Sequence, residues 1–191
     1  RVFKSVLPGD STTERYIRDP EIPMWQVALA TSAAPLYYPL VTVNEGQSKH
    51  QYVDGGLWAN NPSLVGISEA LQNYCGEGRS FQGITLLSIA LPGSGGYGHH
   101  QKDPKGVGLV ARLLSYTMES GKGSAHFMAS YMLCGKDDAY FRNEPRQLST
   151  EQDRYIKLDG ASTRAIEDLV SAGHKDAVTD WSKPTLKAIF T

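Results

Sequence analysis

The chain has 191 residues, of which 40% are hydrophobic and 20% are charged, and its formal net charge is −1. This size and composition are ordinary for one soluble globular domain with a sizeable core. The near-neutral charge, without a basic block, argues against nucleic acid as a partner, and no run reaches the roughly 18 apolar residues of a membrane span.

The cysteines and the first residues give two further indications. Cys75 and Cys134 are far apart in the sequence and form neither a disulfide framework nor a metal-binding pattern, which favours a reducing, cytoplasmic setting. The first residue is Arg1 rather than methionine, and the opening RVFKSV already has the pattern of a strand. We therefore expect the chain to be a piece of a longer protein.

The first part of the chain predicts a loop, a helix and a strand in that order. Residues 8–20 are polar and rich in turn formers, which predicts a surface loop. A short helix is predicted to begin at Pro23 and to stop at residues 31–35, where small residues and a proline follow its apolar stripe. Residues 36–43 have the aromatic and β-branched content of a strand, which Pro39 makes an edge or bulged one.

The stretch QYVDGGLWANNPSLVGISE, residues 51–69, organises the rest of the chain. Its first residues predict the end of a buried strand, and we expect Gly55 and Gly56 to let the backbone turn through conformations closed to residues with a Cβ atom. This places Asp54 at the carboxyl end of a strand, where open α/β sheets bind ligands. Asn61 as N-cap and Pro62 at the first helical position predict that a helix follows.

The second half predicts one strand and then mainly helices. Residues 84–91, ITLLSIAL, form an apolar run that fits a central strand covered on both faces. Helical spacing predicts a helix over residues 107–118 and a second apolar face after Gly121-Lys122-Gly123. Residues 140–142 predict a short extended piece, followed by a helix that is capped by Ser162 and stops at Gly173, and by a last short helix.

Asp54 has two interpretations on the residues alone. An aspartate before glycines is a common turn residue, whose carboxylate accepts hydrogen bonds from nearby backbone N–H groups. A carboxylate at a strand end, with glycines leaving space beside it, also suits a general base that must reach a hydroxyl group on a neighbouring element. Both interpretations stay open at this point.

Two motifs in a fixed order link this chain to a known family. Ala30-Thr31-Ser32-Ala33-Ala34-Pro35 is followed by an aromatic strand, by Tyr52-Val53-Asp54-Gly55-Gly56 and by Ala59-Asn60-Asn61-Pro62. With this order and spacing, residues 1–91 resemble the second half of a patatin-like phospholipase domain, and from about residue 92 the resemblance fades. It implies a three-layer α/β/α fold, related to the cytosolic phospholipase A2 catalytic domain. Residues 1–191 would then be the C-terminal part of a single such domain, with a motif-bearing core in 1–91 and a flexible loop and helical remainder in 92–191.

The resemblance also implies a lipid acyl hydrolase with a serine–aspartate dyad. Asp54 matches the family's general base, and Gly55 and Gly56 support it. The family's nucleophilic serine lies on a G-x-S-x-G elbow, and no serine of this chain has glycines two residues before and two after. We therefore expect a missing N-terminal half to supply the nucleophile and the oxyanion loop, and the chain alone to be inactive. Ser32 is a competitor that we set aside, because helix, turn and strand follow in the reverse of the order that an elbow requires.

The implied reaction is hydrolysis of a carboxylic ester in a phospholipid or another acyl lipid. The resemblance implies no cofactor and no metal ion, and it adds a membrane surface as a candidate partner of a cytoplasmic protein. Two alternatives stay open. One is a non-catalytic storage or lipid-binding relative, and the other is a ligand-activated effector that degrades membranes.

Two further patterns are weaker. Gly93, Gly95 and Gly98 form G-x-G-x-x-G after a strand, but polar residues and Pro104 follow where a dinucleotide-binding fold requires a helix. We interpret residues 92–106 instead as a mobile rim or lid over an acyl-binding groove. The adjacent histidines at positions 99 and 100 have no acidic or cysteine partner at the spacing of a metal site.

Overall fold

The computed structural model describes residues 1–4, 19–92, 106–133, 139–143, 145–157 and 160–190. Within these ranges helices and short strands are interspersed along the chain in an α/β fold, and a single turn of 3₁₀ helix, Asp19–Glu21, precedes them. The elements are α1 (Met24–Thr31), β1 (Val41–Glu45), β2 (Ser48–Tyr52), α2 (Gly56–Ala59), α3 (Ser63–Asn73), β3 (Leu86–Ser88), α4 (Val107–Met132), β4 (Tyr140–Arg142), α5 (Gln152–Tyr155), α6 (Thr163–Trp181) and α7 (Pro184–Ala188).

The chain forms two compact units, one of Arg1–Gly83 with Pro104–Met128 and the other of Ile84–Asp103 with Ala129–Thr191. In the first unit, β1 and β2 form an antiparallel hairpin that aligns Val41 with Tyr52. α1 packs on this hairpin, and Ala30 and Val43 are buried between them together with Ile22. In the second unit, β3 pairs with β4 in parallel.

The helix predicted after Pro23 is confirmed, but the strand predicted over residues 36–43 is wrong in its first half. α1 begins directly after Pro23 and ends at Thr31. A turn follows, in which the N–H groups of Tyr37 and Tyr38 donate to Ala34 O, and Leu36 has a φ of 72° in the left-handed region. The first half of this segment is therefore a turn, and the strand begins at Val41.

The strand before Asp54 is present but is not buried as predicted. β2 ends at Tyr52, and Tyr52 is its only partly buried residue. The apolar run of residues 84–91 also differs from the prediction, because only Leu86–Ser88 form a strand. Ile89 and Leu91 are 75% and 81% exposed, so this run is not covered on both faces by the residues that the structure describes.

Two predicted helix interruptions are wrong. α4 is continuous through Gly121-Lys122-Gly123, and α6 is continuous through Gly173 to Trp181. A glycine inside a helix costs only about 1 kcal/mol relative to alanine, which the rest of a long helix can outweigh. Ser162 is confirmed as the N-cap of α6, since its Oγ accepts the N–H of Ala165.

Several predictions fall wholly or largely outside the described residues. They are the loop over residues 8–20, most of the rim over residues 92–106, the glycine pattern at 93–98 and the adjacent histidines at 99 and 100. Residues 1–4 of the predicted opening strand are described and are not in a strand. In the described ranges, no helix combines the length and the apolar character that crossing a membrane requires.

Candidate active site

Asp54 lies between a strand and a short helix, as the sequence predicts. It follows β2 after one residue, and its backbone N–H donates to Ala33 O at 3.0 Å. Its carbonyl oxygen accepts the N–H of Leu57 at 3.2 Å at the start of α2. The two sequence motifs, which are separated along the chain, are therefore joined by a backbone hydrogen bond at Asp54.

The Asp54 carboxylate is partly buried and is held by one donor. Its Oδ1 accepts the N–H of Gly56 at 2.6 Å. Within the described ranges, this N–H is the only hydrogen-bond donor to the carboxylate, so Oδ2 accepts no hydrogen bond there. This single bond is the local contact of an aspartate turn, and it leaves half of the carboxylate for another partner.

Asp54 also forms part of the wall of a cavity of about 230 Å³ in the first unit. The wall combines apolar side chains with a few polar ones. The other lining residues are Arg1, Phe3, Ala30, Thr31, Gln51, Tyr52, Val53, Gly55, Leu57 and Trp58. A carboxylate with one unengaged oxygen at such a cavity can accept a proton from a hydroxyl group placed in it.

Gly55 and Gly56 matter for a different reason from the predicted one. Gly55 has a φ of −61° and Gly56 begins α2, so neither glycine needs the left-handed region. The prediction that they permit an unusual backbone turn is wrong. A Cβ atom on Gly56 would instead lie 3.0 Å from Asp54 Oδ1 and 3.4 Å from Met118 Cε, whereas one on Gly55 would meet Thr31 Oγ1 at an ordinary 3.7 Å.

α3 begins one residue later than predicted, and Asn61 lies just before its start. The helix begins at Ser63 with Pro62 as its N-cap, and Asn61 Oδ1 accepts both the N–H and the Oγ–H of Ser63, at 3.1 and 2.6 Å. Asn61 is only 4% exposed, and its Nδ2 donates to Lys122 O on α4 at 3.3 Å. These hydrogen bonds are structural, although Asn61 is not the N-cap that the sequence predicts.

A buried ionic cluster, which the sequence does not indicate, lies beside the cavity. The Arg1 guanidinium forms hydrogen bonds and ion pairs with Asp19 and Glu45, and it also donates to Tyr52 Oη at 3.0 Å. Burial raises the pKa of Glu45, but the hydrogen bonds from Arg1 and Tyr52 outweigh this effect and hold that pKa below its usual value. Burial lowers the pKa of Arg1, but the hydrogen bonds of its guanidinium to Glu45, Tyr52 and Asp19 outweigh this effect and raise that pKa above its ordinary value. The cluster therefore keeps a fixed positive charge and its carboxylate partners beside the cavity.

Ser32 is engaged in capping α1. Its Oγ donates to Ala28 O at 2.8 Å, and it is the C-cap residue of the helix. The local order of helix followed by turn is the order that argues against a nucleophile elbow. In the described part of the chain, no group of three or more histidine, cysteine, aspartate or glutamate side chains gathers in a way that could hold a metal ion.

Comparison with known proteins shows a similarity to one protein family. Residues 2–66 match the family model described as patatin-like phospholipase, and this match includes both motifs and Asp54. This part of the chain is similar to the patatin-like phospholipases. Because residues 2–66 end within α3, the patatin-like match does not include α4 and Met118.

Individual patatin-like relatives extend the similarity beyond the family match. A cGAMP-activated phospholipase of Vibrio cholerae is 27% identical over 194 residues, covering 91% of this chain and 51% of that protein. A protein of the same name from Escherichia coli is 40% identical over 79 residues, which cover 41% of this chain and 22% of that protein. The calcium-independent phospholipase A2-gamma of Mus musculus is 28% identical over 163 residues, covering 83% of this chain and 19% of that protein.

The chain thus spans about half the length of the Vibrio relative and a smaller share of the others. No solved structure matches it significantly. The patatin-like relatives are phospholipases by name, which supports lipid hydrolysis as the general activity of this group.

Proposed function

We propose that the complete protein is a lipid acyl hydrolase, and that this chain supplies Asp54 as the general base of a serine–aspartate dyad. The observation that carries the proposal is the geometry of Asp54, which lines a cavity and whose carboxylate accepts, among the described residues, a hydrogen bond only at Oδ1, from the Gly56 N–H. The family match over residues 2–66 supports the same assignment. Residues 1–191 are the C-terminal part of a single three-layer α/β/α domain, and the nucleophilic serine and the oxyanion donors come from the remainder of that domain.

The proposed mechanism uses Asp54 as the only proton carrier. Oδ2 accepts the proton of the serine hydroxyl as the serine oxygen attacks the ester carbonyl, since a serine is a poor nucleophile until a base removes that proton. N–H donors outside this chain stabilise the resulting oxyanion. The tetrahedral intermediate expels the alcohol, which takes the proton back from Asp54, and an acyl-enzyme remains. Asp54 then deprotonates a water molecule as it attacks the acyl-enzyme. When the second tetrahedral intermediate collapses, the departing serine oxygen takes this proton from Asp54, which releases the fatty acid and regenerates both the serine hydroxyl and the carboxylate.

The lining of the cavity suits this substrate class. Phe3, Leu57 and Trp58 provide apolar surface, which fits the part of an acyl chain next to the ester. The Arg1 guanidinium is engaged by Asp19, Glu45 and Tyr52, so its positive charge is already paired within the protein. We therefore propose that the acyl chain of a phospholipid or another acyl lipid occupies this side of the site, and that a membrane surface presents it.

The proposal is tested with the complete protein and its Asp54→Asn variant in a fatty-acid release assay on phospholipid vesicles. An asparagine keeps the shape and the acceptor for the Gly56 N–H but cannot take up the serine proton. We expect a loss on the order of 10³-fold in kcat, within the usual range for removal of a general base. Asp153→Asn is the matched control, since Asp153 is 43% exposed and lies in α5, and it should keep the parental activity. Equal activity of the Asp54→Asn variant and the parent would remove Asp54 from the mechanism.

A second candidate function is activation by a ligand, which the names of two relatives favour. The Vibrio cholerae and Escherichia coli proteins are both called cGAMP-activated phospholipases. If the complete protein is an effector of this kind, fatty-acid release from vesicles should be low alone and should rise when cGAMP is added. Release that is independent of cGAMP supports a constitutive hydrolase. Lipid binding without any release, by the parent protein with and without cGAMP, supports the non-catalytic alternative.

A further inference from the structure

The space above Gly56 is closed by a side chain from a distant part of the sequence. A Cβ atom on Gly56 would have three near neighbours, which are Asp54 Oδ1 at 3.0 Å, Met118 Cε at 3.4 Å and Asn60 Oδ1 at 3.7 Å. Met118 lies on α4 and is half-buried. The methyl group of Met118 therefore packs over the residue whose N–H holds the Asp54 carboxylate.

A second contact joins the same face of α4 to the other end of α2. Asn61 Nδ2, in a side chain that is only 4% exposed, donates to Lys122 O at 3.3 Å. Met118 and Lys122 are four residues apart and so lie one above the other on the helix. One contact is made at Gly56, the first residue of α2 (Gly56–Ala59), and the other at Asn61, two residues after the helix ends. α4 therefore contacts the first residue of this four-residue helix and the segment that directly follows it.

The contact at Gly56 bears directly on the carboxylate. The bond from Gly56 N–H to Asp54 Oδ1 is the only one that the carboxylate accepts within the described residues. If the Gly56 peptide moves, that bond lengthens and the carboxylate is free to rotate about its side-chain dihedrals. A displacement of about 1 Å at a reacting group can cost on the order of a hundredfold in rate.

We propose that Met118 is a positioning residue for Asp54, which acts by packing its Cε methyl group over Gly56 and keeping the Gly56 N–H on Asp54 Oδ1. The inference rests on the proposed function, because Asp54 must be the general base for its position to affect the rate. It extends the site to α4, which lies beyond residues 2–66 of the family match. Methionine suits this position, since its flexible, unbranched side chain fills irregular gaps between elements.

The test compares three variants of the complete protein in the fatty-acid release assay. Met118→Ala removes the methyl group, and we expect kcat to fall about tenfold while KM changes less than about twofold. Met118→Leu restores an apolar group of similar volume and should recover most of kcat. Met128→Ala is the matched control, because Met128 lies on the same helix and is 48% exposed, and it should behave as the parent.

Hydrogen exchange of the Gly56 amide gives a readout that is independent of activity. We expect this amide to exchange at least about tenfold faster in Met118→Ala than in the parent or in Met128→Ala, because its bond to Asp54 is no longer held in place. Unchanged exchange at Gly56, or a loss of kcat that Met128→Ala shares, overturns the proposal. An Asp54→Asn variant assayed in parallel separates the two failures. If that variant is fully active, the proposed function itself is wrong, whereas an inactive Asp54→Asn variant beside a fully active Met118→Ala variant rejects only the role of Met118.

Discussion

An ion-pair cluster in the first unit and an ion pair in the second unit differ in how far they are exposed to water. In the first unit, the side chains of Arg1, Asp19 and Glu45 are only 9%, 0% and 12% exposed, and they pair with one another. In the second unit, Arg164 and Glu151 also form an ion pair, but their side chains are 64% and 69% exposed. Water can replace the partner of an exposed charge at little cost, whereas a buried charge that loses its partner has no replacement.

This difference indicates which charges support the candidate site. Arg1 and Tyr52 belong to the buried cluster and also line the cavity beside Asp54. Tyr52 is the last residue of β2, so the cluster fixes the end of the strand from which Asp54 follows. We therefore expect changes in the buried cluster to affect both folding and the site, and changes in the exposed pairs of the second unit to affect neither.

The largest expected effect comes from removal of the shared cation. Arg1→Gln in the complete protein leaves Asp19 and Glu45 close together without a positive charge. We expect the free energy of unfolding to fall by roughly 3–5 kcal/mol, the range found when one partner of a buried ion pair is removed. Urea denaturation followed by circular dichroism measures this change. A loss no larger than that caused by removal of the exposed Arg164 in the second unit would abolish the contrast between the buried cluster and the exposed pair.

The next largest effect is a loss of kcat that we expect from substitution of Gly56 but not of Gly55. Gly56→Ala places a methyl group 3.0 Å from Asp54 Oδ1, so the carboxylate must move, and we expect about a hundredfold loss of kcat. In Gly55→Ala the added Cβ atom would meet only Thr31 Oγ1, at 3.7 Å, and the backbone at this position is already helical. The kcat of this variant should therefore stay within about threefold of the parent.

Gly66→Ala is the matched control for both variants. Gly66 lies within α3, and nothing lies within 4 Å of a Cβ atom built there. This substitution should leave kcat unchanged and raise the free energy of unfolding by up to about 1 kcal/mol, since alanine is the better helix former. Equal losses of kcat in the Gly55 and Gly56 variants would contradict the steric role assigned to Gly56.

A smaller effect on the free energy of unfolding is expected when the pH is lowered. The pKa of Glu45 is held below its ordinary value of 4.5, so its contribution to stability is complete above that value and is lost as the pH falls through the lowered pKa of the folded state. The free energy of unfolding of the parent should therefore decline as the medium is acidified below about pH 5, and less steeply in Glu45→Gln. Urea titrations at a series of pH values measure the two slopes. Parallel slopes would mean that Glu45 is not a source of the acid sensitivity.

Local chemistry made some elements predictable from the sequence. The start of α1 after Pro23, its end among small residues and the capping of α6 by Ser162 each depend on residues within one or two turns. The position of Asp54 just after a strand was predictable for the same reason. The strand expected over residues 36–40 failed because Pro35 and the left-handed Leu36 form a turn, which the β-forming composition of the segment did not reveal.

The rest of the candidate site depends on contacts between residues that are distant in sequence. Helical spacing assigned Met118 to the apolar face of a helix but could not show that the side chain meets Gly56. The cluster of Arg1 with Asp19 and Glu45 brings together three charged residues that are far apart in the sequence and belong to no common motif. Periodicity indicates which face of an element is buried, and only the tertiary structure identifies what that face contacts.

The smallest expected effect is at an exposed pair of the second unit. Arg164 pairs with Glu151 and lies over the ring of Tyr155, 4.5 Å from its centroid, but both charged side chains are more than half exposed. In Arg164→Gln water solvates Glu151 in place of the guanidinium, so we expect urea denaturation to give the same midpoint as for the parent, within the scatter of repeat measurements. Because this variant and Arg1→Gln both replace a paired arginine by glutamine, the difference between their urea midpoints isolates the effect of burial. A fall in the midpoint comparable to that of Arg1→Gln would show that the exposed pair stabilises the protein as much as the buried cluster does, and the contrast between these two sites would no longer hold.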